Sequence, residues 1–139
     1  MLGLLVVTHG PLAEELVAAT RQIVGETPHM EAIALGWDED QTQARRRIEE
    51  AIQRLDTGRG ILILTDLFGG TASNLSFAFR APGRVDVVTG VNLPMVIKFT
   101  NLREIETIEE AAVRIRDEGR KAIYAASEVL KKETGRGTA

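Results

Sequence analysis

"GILILT", residues 60–65, runs through four large aliphatic side chains without a charge. It is shorter than an ordinary helix, and apolar residues on successive positions place apolar groups on both faces of a strand. Such a strand must be covered on both sides, which puts it at the centre of a parallel sheet flanked by helices. That reading decides the fold class, α/β.

The flanking sequence repeats the pattern. Residues 2–7, "LGLLVV", form a first strand, residues 30–35 a second and residues 85–89 a fourth. Helix-period stretches separate them. Gly10 and Pro11 supply an N-cap and first helical position for a helix with Leu12, Leu16, Ala19 and Ile23 on one face, closed by Gly25. Asp38, with Gln41 three residues on, is expected to cap a helix that buries Ala44, Ile48, Ala51, Ile52 and Leu55. Thr71 is expected to cap a short helix over residues 72–79, stopped by Pro82 and Gly83. A helix is also expected after Pro94, and Thr107 with Glu110 opens another that runs through Ile108, Ala111, Ala112 and Ile115 to Gly119. The whole is a doubly wound, mainly parallel sheet in a single domain over residues 1–130, with residues 131–139 an expected disordered tail. Residues 122–129 suit either a helix or an edge strand.

Composition narrows the function. The chain of 139 residues has no cysteine, which excludes thiol nucleophiles, disulfides and thiolate metal sites. Its net charge of −3, with both signs interspersed, carries no footprint for nucleic acid. The N-terminal apolar run is too short to span a bilayer and lacks signal-peptide flanks, so a cytoplasmic protein without membrane insertion is expected. No metal-ligand set and no cofactor motif is visible. The run Arg45, Arg46 and Arg47 reads as the solvated face of a helix, His29 as an exposed loop residue, and Trp37 as a packing residue at a helix start.

The chemistry concentrates at strand ends. His9 follows the first strand and Asp66 the third, and in the common doubly wound order these strands are neighbours about 4.8 Å apart. A carboxylate that accepts the Nδ1 proton fixes the tautomer and leaves Nε2 as a directed base or nucleophile. Helix N-termini beside this pair offer an anion site, and phosphate is the anion expected. The candidate phosphate-holding groups are backbone N–H groups at Gly10 and Gly70 and the hydroxyl of Thr71. Leu67, Phe68, Asn92, Leu93 and Met95 form a candidate rim on the same edge for docking a protein partner.

With "VVTHG", "LTDLFGGTASN" and "TGVNLPM" in this order, the chain resembles the IIA components of the mannose family of the bacterial sugar phosphotransferase system, over residues 2–129. The resemblance implies a sheet of order 2-1-3-4 and a phosphoryl relay through His9, with Asp66 holding the other ring nitrogen. The donor would be the histidine-containing phosphocarrier protein and the acceptor a IIB component on a separate chain. It also implies a homodimer formed by exchange of a C-terminal strand, which would make residues 122–129 a strand. Ala72 stands where many members have proline, while Thr71 keeps the hydroxyl. Three rival readings are the phosphoryl-donor subunit of a dihydroxyacetone kinase, a signalling receiver phosphorylated on Asp66, and a non-catalytic flavodoxin-like binding module. The receiver reading needs an acidic pair after the first strand to hold magnesium, where this chain has Thr8 and His9.

Overall fold

In a computed structural model, which describes residues 1–102 and 107–131, the chain folds as β1 (Gly3–His9), α1 (Leu12–Val24), β2 (Met30–Leu35), α2 (Gln41–Leu55), β3 (Ile61–Thr65), α3 (Thr71–Phe77), β4 (Val85–Thr89), α4 (Leu93–Phe99) and α5 (Ile108–Lys121). The four strands are parallel in the order β2-β1-β3-β4. Every residue of β3 is buried, as its uninterrupted apolar character requires.

Alternation along the strands divides the core in two. Leu4, Val6, Leu62 and Leu64 face Ala13 and Val17 of α1, Met95, Val96 and Phe99 of α4, and Ile108, Ala111 and Ile115 of α5. Leu5, Val7, Ile61 and Ile63 face Ala44, Ile48, Ala51 and Leu55 of α2 and Ala72 of α3. The crossover between β1 and β2 thus lies on one face, and those from β2 through β3 to β4 lie on the other. Strand order reverses between β1 and β3, the position where open α/β sheets bind their ligands.

Several local expectations are corrected. The side chain that caps α2 is Asp40, which accepts from Gln43 N–H at 3.1 Å, because residues 36–39 form a turn that delays the helix past Asp38. Pro11, not Gly10, occupies the N-cap position of α1, and Gly70, not Thr71, that of α3, which ends at Phe77. In α1 the buried positions are Ala13, Val17 and Thr20, whereas Leu12 and Ile23 are exposed. Thr8 explains the phase: its buried hydroxyl accepts from Ala13 N–H at 2.7 Å and turns that small residue toward the sheet. Thr107 caps α5 as expected, accepting from Glu110 N–H.

Residues 122–129 are not a strand in this chain. Residues 123–125 have no regular structure and residues 126–131 are helical and exposed, so local helix propensity prevails where no sheet edge engages the segment. The expected tail lies outside the described residues from 132 onward.

Candidate functional site

His9 is the last residue of β1 and Asp66 the first residue beyond β3. The parallel register pairs Val7 with Thr65, so both side chains emerge together at the switch point. Asp66 Oδ2 accepts from the His9 backbone N–H at 2.9 Å and lies 2.8 Å from His9 Nδ1, and its Oδ1 accepts from Leu67 N–H at 3.0 Å. Burial pushes the Asp66 carboxyl upward in pKa, but the His9 N–H, the imidazole and the Leu67 N–H outweigh it and hold the carboxyl below its usual value. An ionised carboxylate only accepts, so in the neutral imidazole it selects the tautomer with the proton on Nδ1 and the lone pair on Nε2.

The ring is confined on its other sides as well. The indole of Trp37 stacks on it with centroids 5.6 Å apart and planes 19° from parallel. Beyond Cε1 lies Gly70, where an added Cβ would come within 2.9 Å of that carbon. His9 nonetheless keeps 21% of its side-chain surface exposed. The loop between Asp66 and α3 is closed by Ser73, whose hydroxyl accepts from Gly69 N–H and donates to Gly70 O. Thr71 is exposed at the start of α3.

Gly10 does not act as expected from its sequence position. Its N–H donates to Leu35 O at 2.8 Å and is therefore committed to the end of β2. What the position requires is its backbone: φ is +62°, and the indole of Trp37 lies against it.

The candidate rim divides in two. Leu67 and Phe68 are exposed beside Asp66, Phe68 at 74%. Met95 is 3% exposed and belongs to the core, packed on Gly119, where the missing side chain leaves it room. It is removed from the rim. Asn92 caps α4 by accepting from Met95 N–H at 3.2 Å and donates to Gly119 O at 3.1 Å, joining α4 to the end of α5. Leu93 is half-buried, and its segment is tied to the end of β3 through Val91 N–H and Thr65 O.

Sequence reasoning placed Trp37 in packing and missed its contact with His9. In the arginine run Arg45 and Arg46 are exposed, as a solvated helix face requires, but Arg47 is half-buried and engaged. Arg47 Nη1 reaches both carboxylate oxygens of Glu39, at 2.7 and 2.9 Å, and the Arg45 guanidinium lies 5.6 Å over the ring of Phe79. No linear signal joins Trp37 to His9, because the contact depends on β1 and β2 ending side by side.

A cleft of about 430 Å³ lies along β4 and α5, lined in part by Asp86, Val88, Arg116 and Ile123, and neither His9 nor Asp66 lines it. Among the described residues there is no group of three or more His, Cys, Asp or Glu side chains able to hold a metal ion, and no helix is long and apolar enough to cross a membrane.

Fold and site together define an α/β protein with a carboxylate-oriented histidine at the switch point of a four-stranded parallel sheet. Residues 3–116 match the family described as "PTS system fructose IIA component", and the chain belongs to that family, the mannose-type IIA components of the phosphotransferase system. It is 26% identical over 133 residues to the PTS system fructose-specific EIIA component of Bacillus subtilis (strain 168), covering 95% of this chain and 91% of that protein. It is 27% identical over 135 residues to the PTS system mannose-specific EIIAB component of Escherichia coli (strain K12), where it covers 89% of this chain but spans only 40% of that relative. The crystal structure of phosphotransferase system component EIIA from Streptococcus agalactiae shares the fold, with a TM-score of 0.83 at 22% identity, covering 92% of this chain and 99% of that one. Membership in the family implies phosphoryl transfer in sugar uptake.

Proposed function

We propose that the chain is a phosphoryl carrier that accepts a phosphoryl group on His9 Nε2 from the histidine-containing phosphocarrier protein and passes it to a IIB component, in sugar uptake or its regulation. The observation that carries this reading is the 2.8 Å contact between His9 Nδ1 and Asp66 Oδ2 at the switch point, which leaves Nε2 the free nitrogen of a partly exposed ring. In the transfer the Nε2–P bond forms as the donor's own N–P bond breaks, and the Nδ1 proton stays in its hydrogen bond with Asp66. A loose transition state spreads charge over three equatorial oxygens, so orientation and hydrogen-bond donation are the main requirements.

Gly70 N–H and the Thr71 hydroxyl are the groups we assign to those oxygens. The Asp66 carboxylate disfavours a nearby dianion, which keeps the phosphohistidine easy to pass on. Leu67 and Phe68, with Asn92 and Leu93 beside them, form the rim on which the protein donor and acceptor dock. An open site of this kind suits a protein-borne phosphoryl group better than a small substrate, which needs an enclosing pocket. The relay requires no cofactor and takes place in the cytoplasm. We further propose a homodimer in which residues 122–129 of each protomer engage the β4 edge and adjoining cleft of the other. Exposed Ile123 and Tyr124 support this, as does an outer edge of β4 that no strand covers among the described residues.

Intact mass spectrometry of wild type, His9→Ala and Asp66→Asn after incubation with phosphoenolpyruvate, enzyme I and the phosphocarrier protein tests the relay. One acid-labile phosphoryl group on wild type and none on His9→Ala is the expected result. Phosphorylation that persists in His9→Ala and disappears in Asp66→Asn would transfer the role to the aspartate and overturn the proposal.

A further inference from the structure

Trp37 is 78% exposed, an unusual position for the largest apolar side chain in the sequence, yet one face of its indole is spent on His9. The turn that presents it is fastened at several points. Gly36 N–H donates to Glu39 Oε1 at 2.9 Å, and Arg47 Nη1 grips both oxygens of that carboxylate. The same nitrogen donates to Ala34 O in β2 at 3.3 Å. Burial works against the Glu39 charge, but the Gly36 N–H and the Arg47 guanidinium outweigh it and hold its pKa below the usual carboxylate value. On its inner side the indole rests on Gly10, where an added Cβ would stand 3.4 Å from Trp37 Cζ2.

We infer that Trp37 is a positioning residue for phosphoryl transfer: its indole, fastened by the Glu39–Arg47 pair, fixes the plane of the His9 imidazole. The inference rests on the reading of His9 as the phosphoryl acceptor. The reason is geometric. The lone pair of Nε2 lies in the ring plane, and attack on phosphorus is in line, so a ring that tilts carries its lone pair off the reaction axis. The Asp66 contact fixes the position of Nδ1 but leaves the ring free to tilt about that anchor. A flat surface stacked on the imidazole, with Gly70 beside Cε1, removes the tilt.

The test is the rate of phosphoryl transfer from the phosphocarrier protein across a range of donor concentrations, for wild type, Trp37→Ala and Trp37→Phe, with circular dichroism to verify folding. One aromatic stack of this kind corresponds to a change of about three- to tenfold in rate. Trp37→Ala is expected to lower the saturating rate by that factor with little change in KM, and Trp37→Phe, which keeps a flat ring, to restore most of it. Trp37→Leu, apolar but without a flat face, takes the place of the alanine variant if that variant does not fold, and is expected to be equally slow.

An unchanged saturating rate in Trp37→Ala overturns the inference. So does a change confined to KM, which would make Trp37 a docking residue alone, or a folded Trp37→Phe as slow as the alanine variant. Failure of wild type itself to accept a phosphoryl group would sink the underlying reading, and the inference with it, before any variant is compared.

Discussion

The imidazole of His9 meets a carboxylate at Nδ1, an indole on one face and a glycine backbone beside Cε1. Each contact has its own consequence under substitution. Asp66→Asn keeps the size of the side chain but no longer enforces the tautomer, so phosphoryl acceptance at His9 is expected to fall about 10²-fold or more, measured as the initial rate of phosphoprotein formation. Gly70→Ala places a methyl group within 2.9 Å of Cε1 and is expected to slow acceptance while leaving the circular dichroism spectrum unchanged. Asp66 also links the site to stability. Its pKa is lower folded than unfolded, so its contribution is complete above the unfolded value of about 4 and is lost as pH falls through the folded value. Urea midpoints of wild type and Asp66→Asn should therefore converge on acidification, and a gap that widens toward low pH would contradict this. His9 and Asp66 were legible in the sequence because each directly follows a strand-like run. Trp37 was not, because its partner is fixed by the spatial order of strands.

Among the elements, type was easier to read than phase. The continuous apolar runs of β1 and β3 have one physical solution, burial on both faces, and α2 and α5 carry a regular stripe of apolar side chains. In α1 the largest aliphatic residues mislead, because close approach to the sheet selects small Ala13 and Thr20 and leaves Leu12 at the flank. Met95 misleads in the opposite sense: its position in a short segment beside the site looks like a rim, but Gly119 provides a hollow for it on α5. Asn92→Ala removes the α4 cap and the tie to Gly119 together, and a loss of about 1–2 kcal/mol in urea unfolding is expected. Ile63→Ala, at a fully buried position of β3, should cost about 2–5 kcal/mol, since the central strand cannot collapse around the space left behind.

Taken whole, the two proposed contact regions adjoin. The His9 edge lies at the strand C-termini, and the cleft runs along β4 and reaches Asn92, which the proposed rim also includes. His9 and Asp66 themselves lie outside the cleft. Ile123→Asp combined with Tyr124→Asp is expected to convert the proposed dimer to a monomer, seen by light scattering, while phosphoryl acceptance on His9 continues. Residues 126–131 are helical in the single chain. Sequence could not decide this segment because its residues suit both a helix and an edge strand, and the proposed dimer would supply an edge to pair with.

The stack on His9 has a further use. The sequence contains a single tryptophan, and it lies on the one imidazole proposed to change its charge during the reaction. Its fluorescence therefore comes from that place alone, so a stopped-flow trace of unlabelled protein would follow loading and unloading of the histidine in real time.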